Sequence, residues 1–338
     1  MAVFNTASGR PNIALVPAAT INSASSRLRC FGLGRELAGM GYRVTVGIDP
    51  DNPPHVLLVQ KIINADALLM AQWVHGNGGV VVYDIDDYGP EALGSLKADE
   101  ATFSQFMQLV SIVIVDTETR HGVFLKEPGF THIQEHWVIP DPIDYIESSN
   151  RETPKAARQP GEKLRACWFG NAPNIVPAIP YLQEIAASEE VRDVSVMLNA
   201  DYVDYFHQNF PQFNTSAWKL ETFPSLFSAT DFCVLIHATT FEGVQKSNNK
   251  MLAALALGVV PFVSRTPAYE ATALQMGIPE LIVDSPKDVL DRIKPGIFDG
   301  IVKKMYSTHC SRELEQYFPV VSARMFSEKI QVYLEQRG

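Results

Sequence analysis

Cysteine is sparse in this 338-residue chain, and the four present, Cys30, Cys167, Cys233 and Cys310, form no CxxC pair. That argues against a zinc site or disulfide scaffold and fits a reducing cytoplasm. Long hydrophobic runs are also missing, since nothing approaches the roughly 18 apolar residues of a membrane span. The opening MAVFNTASGRPN has neither the basic start nor the apolar core of a secretory signal, so a cytoplasmic protein is expected. Positive charge is short: 28 Lys+Arg stand against 38 Asp+Glu, a net of −10. Up to Asp144 there are 9 basic and 16 acidic residues, net −7; the remainder has 19 and 22, net −3. Neither half carries the basic surplus that coats phosphate, so bulk charge supports neither nucleic acid nor an anionic membrane as partner. No repeat of solenoid period is visible.

What is present is an ordinary globular mix, 46% hydrophobic and 20% charged, at a length that suggests two domains. Short apolar runs alternate with amphipathic stretches. Strands are expected at 12–17, 42–48, 56–60, 80–83, 111–115 and 136–139, with helices at 25–40, 65–75 and 99–110 between them. Strands apolar throughout, spaced by helices, indicate a parallel sheet covered on both faces. Pro140-Asp141-Pro142 breaks the alternation, and the polar stretch 147–162 is the best linker candidate. The pattern then restarts, with strands at 164–169, 194–198, 231–236 and 259–263, and helices at 176–187, 247–257, 286–293 and 321–335. Two doubly wound α/β domains are expected, 1–145 and 146–319. In such sheets ligands bind outside the carboxyl ends of the strands, which places the candidate loops around one cleft between the domains.

The strongest local signal is FEGVQKSNNKMLAALALG, 241–258. Ser247 is a candidate N-cap, with Asn248 and Asn249 in the first turn, where free N–H groups and the positive helix end favour an anion. Lys246 and Lys250, four apart, share a face and make a cradle for a diphosphate. A capped helix with two solvated lysines is the plain alternative. Asp84, Asp86 and Asp87 end a buried strand, and unpaired buried charge costs several kcal/mol, so they are expected to emerge at the sheet edge. One of them is then a candidate general base for an acceptor hydroxyl; capping the next helix is the alternative. His237 ends the strand before the lysine motif and is a further catalytic candidate. The loop running into Ser25-Ser26-Arg27 has small residues that admit a ligand, and Arg27 can fork onto phosphate. Gly170-Asn171 is a similar strand-end loop.

The lysine segment resembles the donor region of GT-B glycosyltransferases of the group 1, family 4 type. The matching residues are Glu242-Gly243, Ala254-Leu255-Ala256-Leu257-Gly258, Pro261-Phe262-Val263 and Glu270. Further stretches match in order: SSRLRCFGLGRELAGMGYRVTV, VIPDPID, ACWFGN and WKLETFPSLFSATDFCVL. The resemblance covers about 300 residues and implies the GT-B fold, with a final helix at about 320–338 returning to the N-terminal domain. It also implies donor contacts from Gly170, Asn171, Glu242, Glu270 and the KSNNK residues, with the nucleobase near Thr222 and Phe223. The 18–29 loop would lie under the donor sugar and phosphates. One departure is plain: the family's second glutamate, eight positions after Glu242, is here Lys250. KSNNK thus resembles a variant form in which lysine and asparagine face the diphosphate.

The resemblance implies a glycosyltransferase taking a nucleotide-diphosphate sugar, UDP- or GDP-linked, with no metal and no cofactor beyond that co-substrate, and retention at the anomeric carbon. The −7 N-terminal half argues for a soluble acceptor (small molecule, glycan or protein) over a lipid-linked one. Two alternatives stand beside it: transfer to a hydroxymethylated base in DNA, as in compact phage enzymes of this architecture, and a GT-B epimerase or non-catalytic nucleotide-sugar binder.

Overall fold

The computed structural model describes residues 3–4, 10–86, 99–126, 129–144 and 162–337. The linker candidate at 147–162, except Glu162, and Asp87 lie outside the described residues. The chain divides into two compact units, 1–142 with 317–338, and 143–316.

The N-terminal unit is built on β1 (Val3–Phe4), β2 (Asn12–Val16), β3 (Arg43–Val46), β4 (Val56–Gln60), β5 (Val80–Ile85), β6 (Val110–Val115) and β7 (Glu135–Val138), in the order β1-β3-β2-β4-β5-β6-β7. Strands β2 to β7 are parallel, as their apolar runs required. β1 is not: it pairs antiparallel with β3, Val3 opposite Thr45. A two-residue edge strand is too short to show a period.

Alternation along the strands sends side chains to opposite faces. Leu57, Val59, Val81, Tyr83 and Ile85 join one apolar cluster, while Val56, Leu58, Val80 and Val82 join the other. The first face is covered by α3 (Ala65–Gly76), α4 (Glu100–Leu109) and α5 (Glu118–Phe124), through Ala71, Phe106 and Phe124. The second is covered by α2 (Leu33–Gly39) and by α15 (Pro319–Glu335), through Leu37, Ala323, Phe326 and Ile330. The last helix thus belongs to this unit's core; Tyr42 Oη and Ser327 Oγ, 2.6 Å apart, add a buried hydrogen bond to it.

The helix expected at 25–40 forms in three pieces: α1 (Ala24–Ser26), a π segment (Arg27–Gly32) and α2. π turns are rare and concentrate at functional sites. A Cβ on Gly32 would come within 2.9 Å of the Arg27 carbonyl, so the wide turn needs a glycine there.

The C-terminal unit carries β8 (Leu164–Phe169), β9 (Val191–Leu198), β10 (Asn214–Ala217), β11 (Phe232–Leu235) and β12 (Val260–Val263), all parallel, in the order β10-β9-β8-β11-β12. Its helices are α6 (Ile179–Ala186), α7 (Val203–Asn209), α8 (Phe223–Ser228), α9 (Phe241–Val244), α10 (Asn249–Ala256), α11 (Pro267–Gln275), α12 (Pro286–Arg292), α13 (Ile297–Met305) and α14 (Thr308–Glu315). The helix expected at 176–187 begins instead as a 3-10 stretch, Ala172–Ala178, where Pro173 and Pro177 withhold donors, and becomes α-helical at Ile179. Edge strand β10, sequence NTSA, has no apolar run to announce it.

Candidate functional site

In each unit the strand order fixes where a ligand belongs. A doubly wound sheet binds at the point where successive crossovers leave in opposite directions. In the C-terminal unit that point lies between β8 and β11. Residues at this end of the sheet line one concavity: Trp168 of β8 and Asn174 beyond it, Leu235 of β11 with Ile236 and His237 after it, Lys250 of α10 and Tyr269 of α11. Gly170 leaves β8 with φ +148°, and a Cβ there would collide with Lys250 Nζ. The ammonium group also stands 5.4 Å from the Trp168 ring and 5.7 Å from that of Phe169. Cation–π attraction and the missing side chain together hold a positive charge over the strand end.

His237 closes the other wall. Its Nε2 is 2.9 Å from Tyr269 Oη, the rings stack 5.0 Å apart, and its backbone N–H donates to Ser264 Oγ at 2.9 Å. Burial pushes the Tyr269 hydroxyl well above its ordinary pKa, so it remains a neutral donor or acceptor. Asn171 is near this strand end, its Oδ1 accepting from Asn199 Nδ2 at 2.8 Å, while Asn199 Oδ1 accepts from the Ala172 N–H.

The KSNNK turn differs from the sequence expectation in one respect. The N-cap of α10 is Asn248, not Ser247, and no side chain caps it. Asn248 is buried and donates to Thr272 Oγ1 at 2.7 Å, tying α10 to α11 rather than facing a ligand. Lys246, Ser247 and Asn249 are half-buried around the turn. Glu242 is exposed in the first turn of α9, and Glu270 is ion-paired with Arg265, which also binds Asp284. Phe223, expected near a nucleobase, is fully buried among Phe169, Phe227 and Trp218, 4.9–6.2 Å away. Thr222 beside it is exposed at the start of α8.

In the N-terminal unit the switch point lies between β2 and β4. Gln60, the last residue of β4, organises it. Its Oε1 accepts from the Ala18 N–H at 3.0 Å and from Ser26 Oγ at 2.9 Å, and its Nε2 donates to Ser25 Oγ at 2.5 Å. Ser26 Oγ in turn accepts from the Ala19 N–H, and Arg27 Nη1 donates to the Ile21 carbonyl. Ser25, Ser26 and Arg27 therefore shape the 18–21 loop with the groups that were expected to face a ligand.

Asp84 lies inside β5 and is 2% exposed, not free at the edge. Arg29, turned inward from the π segment, holds it: Nε is 2.9 Å from both carboxylate oxygens and Nη2 is 2.6 Å from Oδ1. Arg29 Nη1 reaches Asp141 Oδ1 at 2.8 Å. Burial pushes Asp84 up to about 6 while Arg29 opposes the rise; burial would lower Arg29, but Asp84 and Asp141 keep it well above its ordinary value. Asp86 is paired at 3.4 Å with Lys61, which follows β4 at φ +63°. Asp116, at the end of β6, accepts from Arg120 Nε at 2.6 Å; burial pushes it up to about 7. Its Oδ2 has no hydrogen-bond partner among the described residues.

The strand-end rule already points to the loops 18–29, 116–120 and 170–174, and so to Arg29, Asp116, Arg120 and Asn174, but gives Asp116 and Asn174 no role and the two arginines only a place in a DNA groove. Gln60, Asp141 and Tyr269 are not among the candidates.

No protein-family model matches the sequence, and no curated protein matches it. Solved structures do match. One is an alpha-glucosyltransferase in complex with UDP-glucose and DNA containing an abasic site, at TM-score 0.66 and 11% identity over 95% of this chain and 99% of that one. Another is HepE from Anabaena in complex with UDP-glucose, at 0.64 and 14% over 96% and 100%. A third is sucrose-phosphate synthase from Thermosynechococcus elongatus, at 0.63 and 13% over 96% and 100%. At such identities the likeness is one of fold: the chain has the two-unit α/β fold of GT-B glycosyltransferases. Among the described residues no helix is long and apolar enough to cross a membrane.

Proposed function

We propose that the protein is a glycosyltransferase that moves a sugar from a nucleotide-diphosphate sugar to an acceptor hydroxyl. The observation that carries this is the C-terminal switch point, where Lys250 Nζ occupies the space a side chain at position 170 would take. The bare Gly170 backbone lets a phosphate approach, and the ammonium supplies the charge it needs. Two of the matching structures hold UDP-glucose, which supports a uridine-linked donor.

In this scheme Lys250, with Lys246 and the amides at the start of α10, takes up the negative charge of the departing diphosphate. No divalent ion is then required for that task. His237, held by Tyr269, lies beside the same strand ends, where it can hydrogen-bond the donor sugar or phosphate. Asp84 is committed to Arg29, so it is not the base; retention at the anomeric carbon, which needs no protein base, suits that arrangement. The acceptor would be held by the N-terminal unit.

Thermal-shift measurements with UDP, GDP and their sugars test this. UDP-glucose is expected to raise the melting temperature and Lys250→Ala to abolish most of the rise; no response to any nucleoside diphosphate would sink the donor assignment. Turnover in excess chelator checks metal independence.

The acceptor has two readings. The net −7 N-terminal half favours a soluble small molecule, glycan or protein. The fold match to an enzyme solved with DNA favours a hydroxymethylated base in duplex DNA. Electrophoretic mobility at low salt separates them, since a shift of duplex DNA is expected only in the second. An epimerase would instead release a new free nucleotide sugar with no acceptor present.

A further inference from the structure

Two histidines on the outer edge of the N-terminal sheet stand apart from the sites above. His136 lies on edge strand β7 and His121 on α5, which packs against it. Their ring centroids are 5.8 Å apart, with planes inclined at 42°. His136 Nε2 is 2.8 Å from the Ile133 carbonyl, so that nitrogen carries the proton and Nδ1 keeps its lone pair. His121 Nδ1 faces Glu118 Oε2 at 3.6 Å, too far for a hydrogen bond. The two remaining nitrogens, His121 Nε2 and His136 Nδ1, are both buried and have no hydrogen-bond partner among the described residues.

Buried polar atoms are as a rule hydrogen-bonded, and these two, on adjacent rings, do not bond each other. Each ring's other nitrogen is meanwhile turned to a carbonyl or carboxylate, the arrangement that orients imidazoles as metal ligands.

We propose that His121 Nε2 and His136 Nδ1 bind a divalent transition ion of the Zn2+, Co2+ or Ni2+ class. Among the described residues no group of three His, Cys, Asp or Glu side chains is positioned to hold a metal, so water would complete the shell. The ion would fasten α5, the helix that also carries Arg120, to the sheet's edge strand.

Equilibrium dialysis of the full chain against Zn2+, with Co2+ absorption as the spectroscopic readout, tests this. Wild type is expected to take up a single saturable equivalent, and His121→Gln and His136→Gln each to weaken it by about tenfold or more. His132→Gln is the control: His132 bonds the Met107 carbonyl, and its loss should leave uptake unchanged. Far-UV circular dichroism verifies that each variant is folded. Uptake that survives either single substitution, or wild-type uptake no greater than that of the double variant, overturns the proposal and leaves the two nitrogens to a shared water.

Discussion

Arg29 grips Asp84 at two points and Asp141 at a third, with contacts of 2.6–2.9 Å, and all three side chains are buried. The guanidinium fork suits this role because its donors lie in one plane and stay charged at any pH the fold experiences. Removing it strands two carboxylates in the protein interior. Arg29→Met should therefore destabilise the protein by about 3–5 kcal/mol, read from denaturant unfolding of the variant. A loss under about 1 kcal/mol, the range of exposed pairs, would mean the network is solvated rather than buried.

Asp84 and Asp116 make stability depend on pH in an unusual direction. Burial raises them to about 6 and about 7 from an ordinary 3.8. Between those limits the folded chain binds protons that the unfolded chain has released. Stability is then highest toward the acid end of that window and falls as pH rises through the folded values. Unfolding midpoints at about pH 5 and about pH 7.5 should show the decline, and Asp116→Asn, which cannot ionise, should flatten it. An equally steep slope in the variant would place the titration elsewhere.

Gly170 has no room for a side chain beside the proposed diphosphate subsite. Alanine there takes on both an unfavourable positive φ, worth of order 1–3 kcal/mol, and a collision with Lys250 Nζ. Gly170→Ala should weaken nucleoside diphosphate binding by about tenfold or more in calorimetry, the equivalent of about 1.4 kcal/mol. Retained affinity would show that the lysine can move aside without cost to the ligand.

Phe223 separates a core role from a base-stacking one. It packs against Phe169 and Phe227 and has no exposed surface. Phe223→Ala should cost about 3–5 kcal/mol of stability. Phe223→Leu keeps most of the volume and should leave UDP affinity within about twofold, since volume-conserving swaps disturb a core least. A large loss of affinity in the leucine variant would restore the aromatic ring to the nucleobase.

Most of the fold was written in the sequence. Runs such as VLLVQ and LRACWF can only be strands buried on both faces, and the helical spacers between them force parallel crossovers. Lys250 after one apolar strand and Gly170 at the end of another were both picked out without coordinates, and the fold brings the lysine's Nζ against that glycine. Tertiary structure alone decided which polar groups remain available there. Asp84, Ser25, Ser26, Arg27, Asn248 and Glu270 all carry chemistry suited to a ligand, yet other groups of the fold bond them: Arg29, 55 residues from Asp84, Gln60, 35 and 34 from the two serines, the 18–21 loop for Arg27, Thr272, 24 from Asn248, and Arg265, five from Glu270. Hydrogen bonding and ion pairing are satisfied in three dimensions, so a residue's type fixes what it can do, while its neighbours across the fold fix whether it is free to do it.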